Sequence, residues 1–392
     1  MKHQIACLIT ILCLGSGLTG FSFAQSTSEV AASTAPVAFV YVSSSPLNNG
    51  YYQINGFAAA PSGSLTAISG SPFAGNVREM AVNGQYLFGA DTNLGTFSIS
   101  IDSFSIASDG SLTPVSSVTA GEQGDGLGVL FLDHTGSSLY NALYESQDGS
   151  DIYQSYSVNP STGVLTFLGE TGTSTQFGFR LSLTADNLFA YGANCNGSTA
   201  FIPDIFGFAR ASDQTLSQLN ISPKIPQAPN GEFYCPFLAV ADTTNHVAIS
   251  LQPIASSGNP PAQLATYSED QTGNLTTTST ASNMPKVATN GINTMWMSPS
   301  GNLLAVGGAA GLQVFHFNGA NPITNYTGLL TKDPITQVFW DNNNHLYALS
   351  SGTSSGKLYV FTVTPTSHWQ APGSPYSITN PYWPDGLIVL PR

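Results

Sequence analysis

Apolar and polar residues alternate along short stretches of this chain, and each stretch ends in Gly, Asn, Asp or Ser. A two-residue apolar period predicts half-buried β-strands, and no segment sustains the 3.6-residue period of an amphipathic helix. The stretches recur as two phrases. The first is a turn followed by a strand: Ser62-Gly63-Ser64-Leu65-Thr66, Asp109-Gly110-Ser111-Leu112-Thr113, Thr162-Gly163-Val164-Leu165-Thr166 and Thr272-Gly273-Asn274-Leu275-Thr276. Asp213-Gln214-Thr215-Leu216-Ser217 is a degenerate copy, and the period is about 50 residues. The second phrase is an apolar strand, a polar turn and another strand. Examples begin at Met80, Leu130, Leu181, Met295 and Val338.

The two phrases together give four strands per unit. Seven units begin near residues 39, 78, 126, 179, 236, 292 and 335. The first lacks its inner strand, while Asp385-Gly386-Leu387-Ile388-Val389-Leu390 has the inner-strand pattern and no unit of its own. Closing a ring with the last strand removes an exposed edge. The sequence therefore predicts an all-β, seven-bladed β-propeller of four-stranded blades, closed by the C-terminal strand joining the first blade. It forms one domain over residues 37–392.

The N-terminus breaks the pattern. Lys2 and His3 precede an apolar run from Ile5 to Leu14, and Ser22-Phe23-Ala24 supplies the small residues of a cleavage site. Residues 1–24 read as a signal peptide, since the run is too short to span a bilayer, and 25–36 as a flexible lead-in. The expected location is exported, periplasmic or extracellular, with no membrane attachment after cleavage. Cys7 and Cys13 leave with the signal, so Cys195 and Cys235 remain. An even count in an exported chain predicts a disulfide, with two buried free thiols as the alternative.

Composition agrees with this picture. Of 392 residues only 8% are charged, with 9 Lys plus Arg against 22 Asp plus Glu and a net charge of −13. A nucleic-acid partner would need a basic footprint, and a disordered chain would be richer in charge and poorer in aromatics. Ser, Thr, Asn and Gly solvate the surface instead.

The run Gly63-Ser64-Leu65-Thr66-Ala67-Ile68-Ser69-Gly70-Ser71-Pro72-Phe73 and the turn Met297-Ser298-Pro299-Ser300-Gly301-Asn302 resemble the lactonase family of seven-bladed propellers, which includes bacterial 6-phosphogluconolactonase. The resemblance spans the mature chain. It implies the same fold and hydrolysis of a cyclic ester of a sugar. The family's Gly-Pro-Arg-His falls on Gly291-Ile292-Asn293-Thr294, where only the glycine matches, and its Asn-Glu falls on Gly308-Ala309.

Candidate chemistry must then come from other residues. In a propeller the longer loops gather at one channel mouth, where ligands of closed β-architectures sit. Lactone hydrolysis needs a base to activate water and a cation for the developing oxyanion. Arg78, Glu79, Arg180 and Glu145 are the candidate catalytic residues, and Asp91, Glu122, Asp125, Glu232, Lys286 and Asp385 the candidate ligand-binding residues. Tyr51, Tyr52, Tyr234, Tyr382 and Trp383 fall in predicted loops, where flat aromatic faces suit sugars. Oxygen ligands from Asp91, Asn93, Glu122 and Asp125 would suit Ca²⁺, but no contiguous calcium motif accompanies them, and neither a metal nor another cofactor is expected. Asp109, Asp133, Asp186, Asp213, Asp242 and Asp341 fall in the opposite short turns, where Asp caps its own backbone. The histidines have no second His at metal-ligand spacing. The expected partner is a small-molecule or carbohydrate ligand, bound by a monomer. The alternative to a lactonase is a non-catalytic propeller that binds a carbohydrate or a protein at the same face.

Overall fold

The computed structural model describes residues 35–45, 52–92, 98–121, 129–145, 150–173, 180–196, 202–229, 233–254, 260–351, 356–378 and 382–392. The predicted signal peptide lies outside them. The strands form seven antiparallel sheets, five of four strands and two with one extra short strand, and the described residues contain no α-helix. Each sheet is one blade.

The inner strands are Tyr382–Pro391, Val77–Val82, Val129–Leu132, Ser182–Leu183, Phe233–Ala241, Thr294–Met297 and Gln337–Trp340, for blades 1 to 7. The inner strand of blade 1 comes from the C-terminus and pairs with Ala38–Ser45, as Leu390 opposite Phe39 and Ile388 opposite Tyr41. The ring is closed as the repeats predict. Apolar clusters fill the wedges between blades. One joins Leu349 and Val360 of blade 7 to Phe39, Val40 and Ile54 of blade 1 and Leu87 of blade 2.

The turn residues behave as their types require. Gly63, Gly110, Gly163 and Gly273 have φ of 79°, 86°, 68° and 81°. Gln214 holds the same place in the degenerate copy at φ 74°, a conformation that costs a side-chain-bearing residue more than glycine. In the inner-strand turns, Asp133 Oδ1 accepts from Ser137 N and Ser138 N, Asp242 Oδ1 from Thr244 N and His246 N, and Asp341 Oδ1 from Asn343 N and His345 N. These carboxylates are structural, as their spacing implied.

A tyrosine hydroxyl ties several blades to the next. Tyr41, Tyr140 and Tyr191 occupy equivalent places in the second strands of blades 1, 3 and 4. Each donates to a turn carbonyl of the following blade: Gly110 at 2.8 Å, Gln214 at 3.0 Å and Gly273 at 2.9 Å. Burial pushes all three hydroxyls above the ordinary tyrosine value, so they remain donors.

Cys195 and Cys235 form the expected disulfide, with Cα atoms 5.2 Å apart across 40 residues. Cys195 lies within the second strand of blade 4, Phe189–Asn196, and not in the loop beyond it. The bond joins that strand to the inner strand of blade 5. Closing a loop of this length contributes about 4 kcal/mol in the chain-entropy model. Replacing both cysteines by serine is expected to lower unfolding free energy by about that amount. Equal urea midpoints for the oxidised and doubly substituted proteins would count against the bond.

Candidate functional site

Pairing places the inner strands in common levels around the axis. Ala81, Phe131, Ser182, Val240, Trp296, Phe339 and Ile388 lie opposite Phe88, Tyr140, Tyr191, Ala248, Ala305, Tyr347 and Tyr41, the equivalent position in each second strand. All seven line a central channel of about 820 Å³. Two residues earlier on the strands, a second level carries Glu79, Val129, Arg180, Leu238, Thr294 and Gln337, which line it too. Strand alternation sends every second side chain to the same face, so both levels project inward. The outer level is nearer the longer loops and holds the charges, while the inner level is mostly apolar and carries the aromatic rings of Phe131, Trp296 and Phe339. The cavity continues to short-turn residues such as Ala185, Thr243, Pro299 and Asn342.

Two charges meet at the outer level. Arg180 Nη2 donates to Glu79 Oε2 at 3.3 Å, a contact between blades 4 and 2, with side chains 23% and 19% exposed. The guanidinium also lies over the Trp296 ring at 5.4 Å and the Phe339 ring at 5.8 Å, contributed by blades 6 and 7. Those rings pack on each other, with centroids 4.2 Å apart. Cation–π attraction thus holds Arg180 above the aromatic level. Burial pulls its pKa below the ordinary arginine value, and the Glu79 carboxylate pulls it back up. An arginine so placed stays charged at neutral pH.

The other candidates disperse. Arg78 is exposed, its guanidinium 5.8 Å from the Tyr52 ring of blade 1. Its neighbour Glu79 takes the channel side of the strand. Asp91 is half-buried in blade 2 and accepts from Asn76 Nδ2 at 2.6 Å. Burial, with the like charge of Asp102 added, pushes its carboxyl up to about 6 against that hydrogen bond. Lys286 is exposed and its backbone bridges to Gln263 beside blade 5. Glu145 ends one strand and Asp385 lies within another whose backbone is described, but their side chains lie outside the described residues, as do Glu122, Asp125 and Glu232. Tyr234 is fully buried in the inner strand of blade 5 and donates to Gln263 Oε1, so it is a packing residue and not a loop aromatic.

Sequence reasoning missed the aromatic level. Phe131, Trp296 and Phe339 each stand two residues before the first residue of the inner-strand turn, Asp133, Ser298 and Asp341. Aligning the repeats by that turn exposes the column. It also missed Arg210, whose partners are dispersed in sequence and converge only in the fold.

No protein-family model matches the chain, and no curated protein sequence does. Solved structures do. A putative 6-phosphogluconolactonase from Bacteroides uniformis superposes with a TM-score of 0.59 at 14% identity, covering 90% of this chain and 100% of that one. A functionally unknown protein from Desulfotomaculum acetoxidans gives 0.52 at 12% identity, covering 90% and 98%. At these identities the likeness establishes the fold.

Proposed function

We propose that the central channel is the working site and that its reaction is hydrolysis of a small lactone. The observation that carries this reading is the Arg180–Glu79 pair, brought from blades 4 and 2 to one level above an aromatic floor. In this reading the lactone carbonyl accepts from Arg180, which stabilises the oxyanion as it forms. Glu79 takes a proton from water as the water oxygen bonds to the carbonyl carbon. The ring C–O bond then breaks, the proton passes to the leaving alkoxide, and a hydroxy acid results. The lactonase-like structure from Bacteroides uniformis supports the substrate class by analogy of fold.

A second reading, binding without turnover, is favoured by the closed state of the ion pair. A carboxylate held by a guanidinium is a weaker base than a free one. Glu79→Gln and Arg180→Ala separate the readings when binding and hydrolysis are measured independently. Under the first reading, Glu79→Gln keeps affinity and loses turnover by about 10²-fold or more, the usual contribution of a general base. Arg180→Ala loses both. Lactone binding that depends on Arg180 without any turnover would establish the second reading.

Export is part of the same proposal. The disulfide fits an oxidising compartment, as does the apolar segment at the N-terminus. Mass spectrometry of the secreted chain should find Gln25 at or near its start.

A further inference from the structure

Several of the channel's polar groups are committed to the protein itself. Glu79 and Arg180 hold each other. Ser182 Oγ accepts from Ala241 N, and Asn293 Nδ2 donates to Ile335 O. Asp133 and Asp242 cap their own turns, and Ser298 Oγ accepts from Leu303 N. What remains open to a ligand between the ion pair and the short turns is mostly apolar: Phe131, Val240, Trp296, Phe339 and Ile388, with Thr294 and Gln337 beside the ion pair and Thr243 and Asn342 at the short turns as the polar exceptions. Ala81 and Ser182 are small, so the same level leaves room on two sides beside the bulky rings.

A polyhydroxylated sugar fits this chamber poorly. Each hydroxyl it buried without a partner would oppose binding. A chain of methylenes meets no such cost and gains from leaving water. The volume lies within the range of small-molecule sites.

Resting on the lactone reading above, we propose that the ligand is amphipathic: a lactone head at Arg180 carrying an unbranched apolar chain that runs along Phe131, Trp296 and Phe339 toward the short turns. This replaces a sugar lactone by an alkyl-substituted one, with the same head chemistry and a different body.

The test is a titration of the full mature protein with γ-butyrolactone, γ-octalactone, γ-dodecalactone and gluconolactone. Binding is followed by tryptophan emission, to which Trp296 in the channel contributes, and by calorimetry. The proposal expects affinity to rise about fourfold per added methylene, with gluconolactone the weakest or close to γ-butyrolactone. Ala81→Phe, which fills the chamber, should weaken γ-dodecalactone far more than γ-butyrolactone and so flatten the gain from the long chain. If that variant fails to fold, the ligand series on the wild-type protein decides alone. Equal or tighter binding of gluconolactone, or a flat response to chain length, would overturn the amphipathic ligand while Arg180-dependent binding kept the site. Affinity for every ligand unchanged in Arg180→Ala, or no binding of any, would overturn both.

Discussion

Arg210→Met should cost the protein about 3 to 5 kcal/mol of unfolding free energy, the range for stranding one partner of a buried ion pair. Arg210 ends the third strand of blade 4, Ile202–Arg210, and reaches back to blade 3. Its Nη2 donates to Asp133 Oδ2 at 3.1 Å and to Ser138 Oγ at 2.8 Å, and its Nε donates to the Tyr140 hydroxyl at 2.9 Å. Ser138 Oγ and the Tyr140 hydroxyl then donate onward to Gln214 Oε1 and Gln214 O. The network joins two blades. Asp133 is fully buried at its side chain, so losing the guanidinium leaves its charge to turn amides and hydroxyls alone. Arg210→Lys should recover only part of the loss, because an ammonium cannot present the planar fork that meets three oxygens. Urea unfolding of Arg210→Met, Asp133→Asn and the double variant gives the coupling directly. Additive losses would show that the two side chains stabilise independently.

Glu269→Gln is expected to stabilise the protein at pH 8 by about 3 kcal/mol and to change little at pH 4. Glu269 ends the third strand of blade 5, is nine-tenths buried, and its Oε2 has no hydrogen-bond partner. Burial pushes its carboxyl from the ordinary 4.5 up to about 7; the Tyr191 hydrogen bond opposes this, and the nearby Asp186 and Asp270 charges add to it. Below pH 4.5 both the folded and unfolded states hold the proton, and Glu269 contributes nothing to the pH dependence. Between 4.5 and 7 the unfolded chain releases it while the folded one keeps it, so stability falls as pH rises. Above 7 the cost is constant. A neutral glutamine avoids it at every pH. Thermal midpoints of the two proteins should converge at low pH and separate through this window. Parallel curves would mean that Glu269 is ionised in the fold at all these values.

The fold was legible because it is written seven times. Turn glycines, capping aspartates and the orphan strand at Asp385–Leu390 are local signals, and each is governed by backbone conformation or by edge pairing. Gln214 shows the limit of that code: it fills a glycine place with no glycine, and only the Leu and Ser after it betray the copy. The site was partly legible. Glu79 and Arg180 stood out because charges are scarce and both lie near the starts of inner strands, but nothing in the sequence says that blades 2 and 4 bring them within 3.3 Å. Arg78 looked equivalent and is not, since it is the extra residue of a β-bulge between Val77 and Glu79 and does not line the channel. The channel's apolar level was hidden by its resemblance to core: a Phe or Trp in a strand is ordinarily packing, and closure of the ring alone makes Phe131, Trp296 and Phe339 the lining of a channel. Arg210 and Glu269 were hidden for the same reason, as their partners lie on neighbouring blades.

The central claim is that ligands are held in the channel between the Arg180–Glu79 pair and the aromatic level. A crystal structure of the mature protein with γ-dodecalactone, or with its hydroxy-acid product, tests it directly. The account predicts density for the head within hydrogen-bond reach of Arg180 and for the chain against Phe131, Trp296 and Phe339. An empty channel with the ligand bound elsewhere on the propeller would contradict it.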